Sequence, residues 1–346
     1  MPFPSSDPWV PGDAPTPAAP TGTSAPILSM DTAATAAGLA TWARARSDWF
    51  GARIGEIAIG GRGESFVVWR LATSAGDFAV HLPVRAPVAQ RVPALVAALR
   101  AAPAGVGPRV IGRDATGRYV TTWAAGDVRP PAAWGDAELT GLARVLARLH
   151  QVPAPDVATD DVSTGSTGST DLAEAFDAAL AFWRDESPAA MDTTAERLAA
   201  VLRERLTAIE VAAPGPTTLA LCHGDPIAGN VVWPPGAGAP VLIDWEWARY
   251  GDPARDLGLI GGDVAADPWY AALSPESVRR FVSSYLEAGG RGELDALIKR
   301  RNGWLLLTTF TDTLYLRSLE AAGTATAANR ASHRQLARGL AAELLA

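Results

Sequence analysis

The chain has 346 residues, 48 % of them hydrophobic and 19 % charged, with a net charge of −7 and a single cysteine. That length suffices for two domains or one large bilobal one, and the composition is that of a globular protein. The acidic balance argues against a nucleic-acid partner, which needs a basic face, and the lone Cys222 excludes an intramolecular disulfide.

No apolar run is long enough to span a bilayer, and the first residues lack the basic-then-apolar layout of a secretory leader, so the expected setting is the cytoplasm with no membrane partner. Residues 1–29 are rich in Pro, Ala, Ser and Thr and read as a disordered tail. From Asp31, a plausible N-cap, the spacing predicts one helix ending near Gly51. Residues 54–84 read as three antiparallel strands, the last two joined by the turn Ser74-Ala75-Gly76-Asp77. A helix is expected over 88–101 and a hairpin over PRVIGRD-ATG-RYVTTW. Residues 30–124 thus form a small strand-rich lobe and 125–346 a mainly helical one. In the second lobe a helix stops at Pro153, STGSTGST (163–170) reads as a loop, and 171–184 and 192–211 read as helices. Short strands fall near 218–222, 230–233 and 240–244, and 275–288, 292–321 and the stretch after Ala325 are helical.

LCHGDPIAGNVVW (221–233) places His223, Asp225 and Asn230 in an apolar setting, where Asp and Asn are poor strand formers and expensive to bury unpaired. VLIDWEWARY follows with Asp244, then GDPARDLG with Asp252 and Asp256. Phosphoryl transfer needs a carboxylate to orient a hydroxyl and take its proton, hard oxygens for Mg²⁺, and positive charge for the phosphates. Asp225 suits the first task; Asn230 and Asp244 suit the second. The competing reading, turn residues between short strands, accounts for each alone but not for the three with LIDW and GDPARDL together. Cys222 beside His223 makes a poor nucleophile pair, since neighbours on a strand point to opposite faces.

H-G-D-x-x-x-x-N, then I-D-W-E, then G-D-P-x-x-D-L, resembles the aminoglycoside phosphotransferase and choline kinase family. GGRGESFVVWRL (60–71), RYVTTWAAGD and LARVLARLHQVP resemble its nucleotide-covering hairpin, its hinge and its Leu-His helix, over roughly residues 50–290. The resemblance implies an α+β, bilobal protein-kinase-like fold with a small antiparallel-sheet lobe and a helical one. It implies transfer of the γ-phosphate of ATP or GTP, with Mg²⁺, to a hydroxyl of an antibiotic, sugar or amino alcohol. Asp225 would be the catalytic base and Asn230 and Asp244 the metal ligands. Gly61, Gly63, Ser65, His81, Thr122 and Ala124 would hold the nucleotide, and His223, Asp252 and Asp256 would brace the loop. The specificity surface would come from the helices at 171–211 and 260–320.

One departure stands out. Where the family carries Lys or Arg on the third strand, this chain has His81, and the helix expected after it has no acidic residue. Three readings follow: His81 binds phosphate as imidazolium, Arg70 or Arg85 supplies the charge, or the nucleotide site is weakened and the protein is a non-catalytic relative that binds a ligand or partner. The GGRGES turn and a strand histidine also have plain structural readings. Trp245, Trp247, Trp304 and Tyr315 are expected in the core rather than as a substrate platform.

Overall fold

The computed structural model describes residues 36–50, 53–62, 66–83, 98, 101–113, 118–153, 170–236 and 238–345. The expected tail, Gly63, Ser65, Arg85, most of the 88–101 segment and nearly all of STGSTGST lie outside the described residues.

Helices α1 (Ala36–Arg44) and α2 (Ser47–Phe50) replace the single helix expected from the sequence. The break has a physical reason. In one continuous helix Trp42 and Trp49 would stand about 10 Å apart along the axis. The turn brings their rings to 6.0 Å, with the Arg46 guanidinium over both, at 4.6 and 5.5 Å from the centroids. Strands β1 (Ile54–Arg62), β2 (Phe66–Thr73), β3 (Gly76–Pro83), β4 (Val110–Arg113) and β5 (Tyr119–Thr122), the three strands and the hairpin that the sequence signals predict, form one antiparallel sheet in the order β1-β2-β3-β5-β4.

Strand alternation divides this sheet into two faces. Trp69 and Leu71, Phe78, Val80 and Leu82, and Val120 turn to one side, where they pack with Leu39, Ala43 and Phe50 as a compact core. Phe66, Val68, Ala79, His81, Tyr119 and Thr121 turn to the other and wall a cleft. The register fixes the match: His81 stands opposite Val68 on β2 and opposite Tyr119 on β5.

The rest is mainly helical and holds a separate, larger core. Its helices are α3 (Asp136–His150), α4 (Leu172–Glu186), α5 (Thr193–Ala212), α6 (Pro253–Gly258), α7 (Pro275–Glu287), α8 (Leu294–Ala321) and α9 (Ala327–Leu345). Side chains cap the starts of several of them: Asp171, Asp192 and Ser274 accept hydrogen bonds from the first-turn amides of α4, α5 and α7. The long α8 runs through the middle and buries Trp304, Phe310 and Leu314. Among the described residues no helix is long and apolar enough to cross a membrane.

Short strand pairs carry the loops that matter. Strand β7 (Ala220–Cys222) pairs with β10 (Arg249–Gly251), while β6 (Asp127–Val128), β8 (Val231–Trp233) and β9 (Val241–Leu242) form a three-stranded ribbon. A parallel pair, β11 (Gly261–Gly262) and β12 (Ala271–Ala272), follows α6. Segments of two or three residues are too short to show a periodicity, which is why β6, β10, β11 and β12 escape sequence reasoning. Trp245 and Trp304 are buried and Tyr315 is half-buried, but Trp247 is 58 % exposed, which corrects its expected place in the core. Its main chain, not its ring, is what packs: a Cβ on Gly224, whose φ is +82°, would collide with the Trp247 carbonyl.

Candidate active site

The 223–230 loop leaves one ribbon at β7 and enters the other at β8, and Asp244 follows directly after β9. Two ribbon ends therefore bring Asp225, Asn230 and Asp244 to one place. A 3₁₀ turn, Ala228–Asn230, presents Asn230. Its Nδ2 donates to the Asp225 carboxylate at 2.8 Å and to the Asp225 carbonyl at 2.9 Å, which leaves its Oδ1 to face elsewhere. Asp244 has φ +63°, the one non-glycine in the left-handed region among the described residues. Aspartate tolerates that region better than most residues, and the strain sits where the side chain is being aimed.

The electrostatics are unusual. Burial pushes the Asp225 carboxyl up to about 7, aided by Asp312 and Glu246 and opposed by Arg255 and the Asn230 hydrogen bond. Burial, then Glu246 and Asp225, push Asp244 to about 7 as well. Among the described residues the Asp244 carboxylate accepts no hydrogen bond and has no cation within 4.0 Å. Asn230, Asp244 and Glu246 all line the cleft. A set of hard oxygens with excess negative charge and no protein cation is what a divalent ion such as Mg²⁺ fits.

Behind the loop the polar groups are fully engaged. The Asp256 carboxylate accepts the backbone N–H of His223 at 2.7 Å and of Gly224 at 2.9 Å, and His150 Nε2 donates to it at 3.1 Å. Burial alone would raise its pKa, but the His150 hydrogen bond, the neighbouring imidazoles and the Gly224 amide hold it below the usual carboxylate range. His223 Nδ1 accepts from the Asp225 amide at 3.3 Å, so Nε2 carries the proton and donates to the Ile243 carbonyl at 2.9 Å. Burial pushes that imidazole down to about 4. His223 thus ties the Asp225 loop to the strand end that delivers Asp244. Asp252 caps α6 through Ala254 N–H at 2.9 Å and receives Arg300 Nε and Trp304 Nε1. His150, Cys222 and Asp256 bring potential metal ligands within 4.8 Å of one another, but the first and last are already spent on these bonds. Burial raises the Cys222 thiol well above its ordinary value, which removes it as a nucleophile.

The opposite wall is the sheet. Between the two walls lies a cavity of about 470 Å³ that Gly61, His81, Thr122 and Ala124 line together with Asn230 and Asp244. Gly60 packs flat against Trp123, whose ring carbons would lie 2.7 Å from any added Cβ. At the 122–124 connection, Thr122 N–H is taken by the Arg109 carbonyl and Trp123 N–H by the Asp77 carbonyl. Among the described residues, Ala124 keeps its backbone N–H and C=O without a hydrogen bond. His81 stacks on Tyr119, centroids 4.0 Å apart and planes 8° from parallel, with the edge of Phe66 beside it. Burial pushes its imidazole down to about 3. Arg70 pairs with Asp77 through its Nε at 2.9 Å and lies over the Trp123 ring, at the connecting end of the sheet rather than at the β1–β2 turn.

Sequence reasoning missed Glu246, Arg255, Tyr270 and Asp312. Glu246 stands two residues after Asp244, so the I-D-W-E run held a signal for it. Tyr270 and Asp312 fall within the 260–320 stretch, and nothing local in the sequence of α8 marks one Asp as facing the loop.

The family model described as the phosphotransferase enzyme family matches residues 56–297. No curated protein matches the chain. Among solved structures, a choline/ethanolamine kinase family protein from Mesorhizobium loti is 21 % identical, with 87 % of this chain and 94 % of that chain covered and a TM-score of 0.58. A macrolide 2'-phosphotransferase from Brachybacterium faecium is 22 % identical over 87 % of this chain and 97 % of that one, with a TM-score of 0.57. An aminoglycoside 2'-phosphotransferase bound to GDP is 15 % identical over 88 % and 98 %, with a TM-score of 0.60. These likenesses establish the two-lobed α+β fold.

Proposed function

Because the chain belongs to the phosphotransferase enzyme family, we propose that it moves the γ-phosphoryl group of ATP or GTP to a hydroxyl of a small molecule. The observation that carries this reading is that Asn230 and Asp244 line a cavity whose other wall is a glycine-bearing hairpin, with the Asp225 carboxylate bonded to Asn230.

In this reading the nucleotide enters between the sheet lobe (30–124) and the helical lobe (125–346). The free N–H and C=O of Ala124 would meet the base edge, and Gly61, with Gly63 and Ser65 of the same hairpin, would cover the phosphates. Asn230 Oδ1 and the Asp244 carboxylate would hold Mg²⁺, which would supply positive charge to the phosphates. Asp225 would accept the proton of the acceptor hydroxyl as that oxygen bonds to the γ-phosphorus. The bond from phosphorus to the bridging oxygen breaks, and the nucleoside diphosphate leaves. A carboxyl near 7 is a competent proton acceptor at neutral pH. His223, Asp252 and Asp256 would act through the loop, as braces.

The neutral His81 favours the second reading, a non-catalytic relative, because imidazole without a proton gives the phosphates no charge. The intact acid set favours transfer. The deciding experiment is Mg²⁺-dependent formation of nucleoside diphosphate and phosphorylated acceptor by the full chain. Transfer that Asp225→Asn removes while nucleotide still binds supports the enzyme. Nucleotide binding without transfer to any hydroxyl compound supports the relative.

A further inference from the structure

The brace behind the loop does not end at His150. Asp256 on α6 offers Oδ2 to the His223 amide and to His150 Nε2, and Oδ1 to the Gly224 amide, the residue before Asp225. On the other edge of the imidazole, His150 Nδ1 lies 2.9 Å from the Tyr285 hydroxyl, 135 residues away in sequence. The Arg291 backbone N–H bonds the same hydroxyl oxygen. A continuous line of hydrogen bonds therefore runs from the loop after α7, through Tyr285 on α7, the last residue of α3 and Asp256 on α6, to the two amides ahead of Asp225.

The members of this line are sealed from water. Tyr285 is buried, and the side chains of His150 and Asp256 are 3 % and 0 % exposed. The Tyr285 ring meets the His150 ring edge-on, centroids 5.5 Å apart. Its other side rests on Gly290 so closely that a Cβ there would stand 2.2 Å from a ring carbon. Tyr285, His150 and Asp256 line no part of the nucleotide cavity; the first two border a separate cavity of about 410 Å³.

Proton placement gives the tyrosine hydroxyl a use. An ionised carboxylate only accepts, so His150 Nε2 must carry a proton to bond Asp256. The neutral imidazole then leaves Nδ1 bare, as an acceptor for the Tyr285 O–H. Burial holds that hydroxyl well above its ordinary value, so it keeps the proton it donates. The opposite tautomer would set a bare Nε2 against an Asp256 oxygen, lone pair against lone pair. The carboxylate would turn away from His150, and the amides of His223 and Gly224 hang on that same carboxylate. Phenylalanine would fill the same space, so packing alone does not call for the hydroxyl.

We propose that Tyr285 is a positioning residue: its hydroxyl fixes the tautomer of His150 and, through Asp256, the placement of the loop that carries Asp225. This rests on the phosphotransfer reading and adds to it a residue outside the nucleotide cavity.

The test compares the full wild-type chain with Tyr285→Phe by two readouts. The first is nitrogen NMR of the histidine rings, of which the chain has four, so that the His150 signals are assigned by substitution. The wild type is expected to show His150 protonated on Nε2 with a hydrogen-bonded, bare Nδ1. In Tyr285→Phe the Nδ1 signal is expected to shift or to split between tautomers. The second readout is transfer, with Mg²⁺ and ATP or GTP, to whichever of kanamycin, erythromycin and ethanolamine the wild type phosphorylates, measured well below both melting temperatures. Here kcat is expected to fall about tenfold, the scale of a small misplacement of a reacting group, while the nucleotide KM stays within about twofold. Gly290→Ala keeps the hydroxyl but pushes the ring aside, and is expected to produce both changes. A merely structural tyrosine would lower Tm and leave the tautomer and kcat as they are. Either readout left unchanged in Tyr285→Phe overturns the proposal, and so does a wild-type His150 protonated on Nδ1 rather than Nε2. Transfer by the wild type to none of the three compounds counts against the phosphotransfer reading instead, and the ring signals then decide whether Tyr285 governs His150.

Discussion

The two walls of the cleft are built from opposite chemistry. The sheet wall is aromatic and neutral: His81 lies flat on Tyr119 with its imidazole pushed down to about 3, and Arg70 is tied to Asp77 away from the hairpin turn. The loop wall is acidic and incompletely paired: Asp244 and Glu246 line it, with Asp225 and Asp312 close by. In the familiar kinase arrangement both walls contribute, a basic strand residue from one and metal-binding acids from the other. Here the described sheet wall supplies shape and the loop wall supplies charge, so in the proposed reading a bound polyphosphate would depend heavily on a metal that Asn230 and Asp244 would hold.

The most damaging change should fall on the loop wall. Asp225→Asn is expected to cut single-turnover transfer by about 10³-fold, in the range of a lost general base, with nucleotide affinity retained. Activity within tenfold of wild type would break the contrast between the walls. Next comes the brace. Asp256→Ala leaves two loop amides and His150 without their acceptor and should cost about 3 kcal/mol in urea unfolding. His81→Phe, which keeps the aromatic stack, should change stability by less than about 1 kcal/mol. A pH series sharpens the comparison further. Burial lowers His223 to about 4 and His81 to about 3 from 6.5, so between those values and 6.5 the unfolded chain binds protons that the folded chain does not. Stability should therefore be insensitive to these rings above pH 6.5 and decline as pH falls below it, by on the order of 3 kcal/mol for His223 once pH nears 4. Asp225 and Asp244, raised to about 7, act in the opposite sense over the same range, so the difference in urea midpoint between wild type and His81→Phe at neutral and mildly acidic pH isolates the imidazole. Smallest of all, Trp247→Ala should shift stability by no more than about 0.5 kcal/mol, whereas Trp304→Ala, in the core, should cost about 3 kcal/mol or more.

Much of this molecule was legible in its sequence, and the limits follow from physics. The five-strand sheet was readable because alternation and turn residues act locally, and β2 and β3 display both. Asp225, Asn230 and Asp244 stood out because polar residues in apolar surroundings demand a reason. Trp247 was misplaced because hydrophobicity gives the average fate of a tryptophan, not the direction its backbone turns. The broken first helix depended on a three-body contact among Trp42, Arg46 and Trp49, which spacing cannot encode. Asp312 and Tyr270 meet Arg255 only after α8 has packed on α6, so no window of sequence contains them together. The sequence marks the strand histidine as a departure, but its neutrality comes from Tyr119 and Phe66 on neighbouring strands.

In the proposed reading the loop wall holds a metal that in turn holds the nucleotide. It is tested most directly by thermal unfolding of wild type and Asp244→Ala, each with and without Mg²⁺ and ATP or GTP. At a hundred times its dissociation constant, a nucleotide should add about 2.7 kcal/mol to the wild type, and only when Mg²⁺ is present. Asp244→Ala is expected to lose this gain. A nucleotide-induced stabilisation that survives in Asp244→Ala, or one that needs no Mg²⁺, would contradict it.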